Sequence, residues 1–97
     1  MESYTLHNND FLRQFEVKVK GKLARIEYAE QERKIFLTKI SIPENIQDPN
    51  FKNWFIKKVL DYVENKNIKV VPTSPEIAIF LRKNKNYKKL LPVGIKL

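Results

Sequence analysis

Residues 34–63, KIFLTKISIPENIQDPNFKNWFIKKVLDYV, change period half-way along. Ile35 and Leu37 alternate with Phe36, Thr38 and Ile40, the repeat of a strand with one buried face, and Lys39 falls on the side of Ile35 and Leu37. Pro43 ends that strand. From Phe51 the apolar residues recur at helical spacing: Phe51, Phe55, Val59 and Tyr62, with Ile56, Leu60 and Val63 beside them. Lys57, Lys58, Asp61 and Glu64 face outward, which predicts an amphipathic helix of about four turns. Between strand and helix lies IQDPNFKNW, Ile46 to Trp54, where many small α/β proteins place a glycine-rich phosphate loop. It contains no glycine.

Toward the N-terminus, Phe15, Val17 and Val19 alternate with Glu16, Lys18 and Lys20, and Lys20-Gly21 supplies a turn into a second strand. The face carrying Ala24, Ile26 and Tyr28 is the core face of that strand, and EQER, Glu30 to Arg33, is the next turn. Three antiparallel strands therefore precede the first helix. On the C-terminal side IKVVP has the character of a short buried strand, joined in parallel to the third by the crossover helix. Ser74 stands at an N-cap, with Pro75 in the first helical position and Glu76 in the first turn, and this second helix ends near Asn84. The predicted fold is α+β, order βββαβα, a mixed and mostly antiparallel sheet with two helices whose Phe55, Val59, Ile77 and Leu81 share the core. NYKKLLPVGIKL, residues 86–97, is expected to add a last short strand or to fray, with 92–97 and 1–10, the latter including His7, flexible.

Ninety-seven residues suit a single domain, 1–97, because a chain of this size buries only roughly 65% of its unfolded surface. The lack of cysteine excludes disulfides, thiolate metal sites and thiol nucleophiles; no metal site is expected, and the setting implied is cytoplasmic. No segment has the roughly 18 to 20 apolar residues of a membrane helix. The net charge of +8 favours phosphates or other polyanions. Yet the basic residues are fifteen Lys and only four Arg, accompanied by nine Asn and ten Ile, the bias of an AT-rich genome. Sequence-selective readers of nucleic acid depend on the bidentate Arg fork, so no sequence-specific nucleic-acid binding is expected. Lys83, Lys85, Lys88 and Lys89 surround Tyr87 like a stacking patch, but Tyr87 and Leu90 are better placed as core.

The segments FEVKVKGKLARIEY, FLTKISIPENI, VLDYVENKNIKVVPTSP and FLRKNKNYKKLL resemble the minimal, single-domain branch of the acetyl-CoA-dependent N-acetyltransferase (GNAT) superfamily, over roughly residues 11–91. That branch typically reads L-T-H-T-E-V-P, then R-G-x-G-I-G, then V-V-P-x-C-P. Leu37, Thr38, Pro43, Val70, Val71, Pro72 and Pro75 match, whereas Lys39, Ser41 and Ser74 stand where the family has His, Glu and Cys. The loop glycines fall on Asp48, Asn50 and Lys52. The resemblance implies coenzyme A or acetyl-CoA as cofactor and an unspecified amine as acceptor. It places phosphate contacts at Gln47, Asn50, Phe51, Lys52 and Asn53, and contacts to the adenosine phosphate at Arg82 and Lys83.

The replaced residues change what the loop can do. Glycines let successive backbone N–H groups turn toward one anion beside the positive end of a helix. Here Asp48 is an N-cap residue and Pro49 is preset for the first helical turn, so the helix can cap itself, with a fixed carboxylate repelling a second anion. Lys52 and Asn53 can offer side chains in place of the lost backbone contacts. Catalysis has fewer candidates: Lys39 needs strong desolvation to act as a base near neutrality, and Ser74 is a weak nucleophile candidate with no histidine near it in sequence. Two readings follow: an acetyltransferase-like protein with altered chemistry, or a non-catalytic basic binding module on the same fold.

Overall fold

The computed structural model describes residues 4–95 and 97; what the sequence implied for residues 1–3 and 96 lies outside the described residues. The elements are β1 (Leu6–Asn9), β2 (Gln14–Val19), β3 (Lys22–Gln31), β4 (Lys34–Ser41), α1 (Phe51–Asn65), β5 (Lys69–Pro72) and α2 (Pro75–Lys83), followed by a 3₁₀ segment, Lys85–Leu90. One sheet has the order β1-β2-β3-β4-β5. Its first four strands are antiparallel and β5 lies parallel to β4. The expected mixed sheet with two main helices is thus present, with one strand more than the sequence pattern revealed.

That extra strand corrects the expectation of three strands before the first helix. Leu6 pairs with Val17 and His7 with Glu16. LHNN has little β propensity of its own, and a polar bridge contributes to holding it: the Tyr28 hydroxyl donates to Asn8 Oδ1 at 2.7 Å, and Asn8 Nδ2 donates to the Tyr62 hydroxyl at 3.3 Å. Asn8 so joins β1 to both β3 and α1.

Both helices pack on one face of the sheet. Phe55, Val59, Ile77 and Leu81 are fully buried with Phe15, Val17, Ala24, Ile26 and Leu37 in a single core, as the change of period at Phe51 required. The phase of β4 differs from the sequence reading. Glu27 pairs with Lys39 but its neighbour Tyr28 pairs with Leu37, so Thr38 is an extra residue, a bulge, whose hydroxyl donates to the Glu27 carbonyl at 3.1 Å. Lys39, expected on the side of Ile35 and Leu37, is therefore exposed on the opposite face, and Ile40 is buried in its stead. Uninterrupted alternation would have put a lysine ammonium into the apolar core.

Two-residue loops close both central hairpins. The second is tighter than the expected EQER turn: Gln31 pairs with Lys34, leaving only Glu32 and Arg33 between them. Their φ values of 52° and 63° match the pair at Lys20 and Gly21, 51° and 80°, as a type I′ turn demands. Neither Glu nor Arg favours that conformation, whereas Asn-Gly does. The double substitution Glu32→Asn, Arg33→Gly should raise stability by about 1 kcal/mol. Urea denaturation followed by circular dichroism measures it, and unchanged or lower stability would show that the loop is not strained.

Candidate functional site

The ladder between β4 and β5 runs only from the Lys34–Lys69 pair to the Leu37–Pro72 pair. The Leu37 carbonyl then accepts two hydrogen bonds, from Thr73 Oγ1 and from the Ser74 backbone N–H, both at 2.9 Å. Beyond it β4 stays paired to β3, while the chain after β5 turns away into α2. This leaves the Lys39–Ser41 edge of β4 without a ladder partner on its β5 side among the described residues, a wedge in the pairing of the sheet. Ser74 is buried at the N-cap position of α2, and its carbonyl takes the Ala78 N–H at 3.0 Å. Its hydroxyl makes no side-chain cap bond.

At the head of α1 the Asp48 carboxylate accepts the Asn50 N–H at 2.9 Å, and the Asp48 carbonyl accepts the Phe51 N–H at 3.1 Å. The Asn50 carbonyl takes the Trp54 N–H at 3.0 Å. Asp48 thus tightens the entry to the helix as its side chain suggested, but regular α-helix begins only at Phe51, with Asn50 in the N-cap position and no cap bond from the Asn50 side chain. Between these bonded groups the backbone N–H groups of Lys52 and Asn53 have no hydrogen-bond partner among the described residues. A self-capping loop that satisfies every amide is not what forms. Two donors remain at the positive end of α1.

The first turn of α1 that carries them also borders the space between α1 and α2. A groove of about 440 Å³ runs between them, lined on the α1 side by Asn50, Asn53, Trp54 and Lys57 and on the other by Phe80, Asn84, Asn86 and Tyr87. A second hollow of about 240 Å³ adjoins it, sharing Asn53, Phe80 and Asn84 and adding Lys52, Lys83 and Glu76. Lys52 Nζ meets the Glu76 carboxylate at 2.6 Å across this second hollow. Of the residues assigned to the cofactor, Asn50, Lys52, Asn53 and Lys83 come together here. Gln47 lies with Asp48 in a separate cleft of about 180 Å³, Phe51 is buried and offers only its backbone, and Arg82 is exposed but lines neither hollow.

Sequence reasoning missed Lys57, Asn84 and Asn86. Lys57 looked like one more solvent-facing helix residue, and Asn84 like a helix end. Asn84 does end α2, returning its side-chain amide to the Phe80 carbonyl at 2.8 Å. Trp54 is half-buried, packed at 5.3 Å from Tyr4 and 5.8 Å from Phe51, with its free edge on the groove. The remaining family positions lie elsewhere: Lys39 is exposed and Ser41 half-buried on the sheet face away from the helices, and His7 sits on β1, three strands or ~14 Å from β4. Among the described residues no group of His, Cys, Asp and Glu could hold a metal ion, and no helix is long and apolar enough to cross a membrane.

With fold and groove in view, the comparisons with known proteins are specific. The family model of the GCN5-related N-acetyltransferases matches residues 14–90, and the chain belongs to that family. It is similar in structure to a GCN5-like protein from Staphylococcus aureus solved by NMR, with a TM-score of 0.72 at 15% identity, covering 99% of this chain and 94% of that one. A search of curated proteins found no match.

The floor of the larger groove is held by Tyr87, as its core assignment implied. Its ring lies 6.0 Å from that of Phe80, and its hydroxyl donates to Asp61 Oδ1 at 2.9 Å. Burial, reinforced by the Asp61 carboxylate, pushes this hydroxyl up to about 12 from 10.0. The folded state therefore keeps a proton that the unfolded chain loses first. This contribution is complete below pH 10 and disappears as the pH rises through about 12. Tyr87→Phe should cost about 1 to 2 kcal/mol at neutral pH. It should also flatten the decline of stability between pH 10 and 12, read from melting temperatures; an unaltered decline would remove Tyr87 as its source.

Proposed function

We propose that the chain binds coenzyme A thioesters, with the phosphates at the head of α1 and the acyl end directed into the wedge beside β4. The observation that carries this is the pair of N–H groups at Lys52 and Asn53, without partners among the described residues, at a helix head beside two adjoining hollows, one lined by Lys57 and the other by Lys52 and Lys83. A helix N-terminus with free amides favours an anion, and the lysines add charge where the family relies on glycine-exposed backbone. The family's use of acetyl-CoA and the early end of the β4–β5 ladder support the same reading.

Acetyl transfer requires a neutral amine to attack the thioester carbonyl, lose its proton and expel the thiolate, which takes up a proton. The replaced family positions supply no base poised at the wedge: Lys39 is exposed, Ser41 cannot serve as one, and His7 is on the far strand. The reaction we infer is transfer to amines that arrive already neutral, with the protein contributing orientation of the thioester. The rate constant should then rise about tenfold per pH unit up to the acceptor's own pKa, and should shift with that pKa across a series of amines. A bell-shaped profile independent of the acceptor would instead reveal a protein base. The absence of a placed base also favours a second reading, a non-catalytic acyl-CoA binder, which predicts binding with no transfer at any pH.

Asp48 limits the affinity in this proposal, because its carboxylate holds one of the amides and adds negative charge beside the phosphates. Asp48→Ala should destabilise the fold by roughly 1 kcal/mol, the net worth of the one hydrogen bond its carboxylate accepts. Asp48→Gly should cost less and should bind coenzyme A more tightly than the natural protein in a calorimetric titration, more so with Asn50→Gly added. Unchanged affinity would place the phosphates away from this turn.

A further inference from the structure

We infer that Glu76 is an internal stand-in for a ligand phosphate: it occupies Lys52 across the mouth of the smaller hollow, and an incoming phosphate takes over that lysine. This rests on the coenzyme A reading above and adds to it a residue that sets affinity. Lys52 stands at a family glycine position, in the first turn of α1, where its own backbone N–H is unpartnered. Its ammonium is drawn across the hollow to Glu76 at 2.6 Å, in the first turn of α2. One residue thus carries a backbone donor without a partner among the described residues and a side-chain donor held by a carboxylate.

The pair is open to water, with side-chain exposures of 44% and 49%, so exchanging partners costs little desolvation. A phosphate placed at the head of α1 would face three donors, the Lys52 ammonium and the Lys52 and Asn53 amides, of which Glu76 engages only the first. Lys83 borders the same hollow and is in no ion pair among the described residues, leaving a cation for the displaced Glu76 carboxylate. Each anion then has a lysine beside it. The ligand class that drives it is a phosphate ester or pyrophosphate.

Calorimetric titration of coenzyme A and of inorganic pyrophosphate into the natural protein, Glu76→Gln, Lys52→Gln and the double variant tests the exchange, with pantetheine as the phosphate-free probe. Glu76→Gln should tighten coenzyme A and pyrophosphate by about two- to fivefold at low salt, with a smaller gain at physiological salt. Lys52→Gln should weaken both, and in its background Glu76→Gln should have no further effect. Pantetheine should bind all four proteins alike. Glu76→Asp keeps the charge at the α2 terminus but shortens its reach, and should also tighten binding. Equal tightening by Glu76→Gln with and without Lys52 would show a general field effect and overturn the exchange, as would natural affinity in Glu76→Gln. If none of the proteins, all with cooperative melts, binds coenzyme A or pyrophosphate, the coenzyme A reading itself falls and this inference with it.

Discussion

The carbonyl of Leu37 accepts the last hydrogen bonds of the parallel pairing, from Thr73 Oγ1 and the Ser74 N–H. Because one of these donors is a side chain and the other opens α2, the β5 strand cannot continue alongside β4, and the sheet divides at that point. A single residue further along β4 comes the Thr38 bulge, which re-aims the strand and keeps it bound to β3 alone. The wedge, the start of α2 and the outward position of Lys39 all follow from what happens within these two residues. Lengthening β5 by one more ladder pair would require the Leu37 carbonyl to release Ser74, and α2 would lose its starting point.

At the other side of the groove the chain makes a compromise. A glycine loop would present several amides to one phosphate at the expense of conformational entropy, since glycine has the most freedom to lose on folding. Asp48, Pro49 and Asn50 reverse that balance: proline and the Asp48 bond pre-order the turn, and one amide is consumed in doing so. What remains for a ligand is a smaller set of fixed backbone donors supplemented by lysine side chains. Lysine carries more charge than an amide but is far less pre-organised, having about 2 kcal/mol of rotamer entropy to lose when immobilised. In the proposed coenzyme A reading, a site of this kind would keep attraction for phosphates and lose geometric selectivity.

Much of the fold was legible in the sequence because burial is periodic. Strand and helix spacing assigned Ala24, Ile26 and Tyr28, and Phe55, Val59, Ile77 and Leu81, to the core they occupy. Two features were hidden for different physical reasons. β1 is a short edge strand stabilised by contacts distant in sequence, Asn8 to Tyr28 and Tyr62, which no local pattern contains. The bulge at Thr38 is a one-residue change of phase, and only the improbability of a buried Lys39 hinted at it. The site was less legible than the fold. The resemblance pointed to Asn50, Lys52, Asn53 and Lys83, which line the two hollows, but Glu76, Lys57 and Asn86 join them through helix packing that sequence spacing does not encode.

The same packing explains how a chain of net charge +8 tolerates clustered lysines around its grooves. The two ion pairs formed among the described residues, Lys52 with Glu76 and Lys89 with Glu64, both join α1 to the segment after β5. With the Tyr87 to Asp61 hydrogen bond, they tie α1 to α2 and the following 3₁₀ segment at three points along one seam. Each exposed ion pair contributes at most about 1 kcal/mol, so the seam is held mainly by the buried Phe80, Tyr87 and Leu90 and only registered by the charges. Because the exposed Lys52 pair adds so little to the seam's stability, the proposed exchange of its carboxylate for a phosphate would leave the walls of the groove in place.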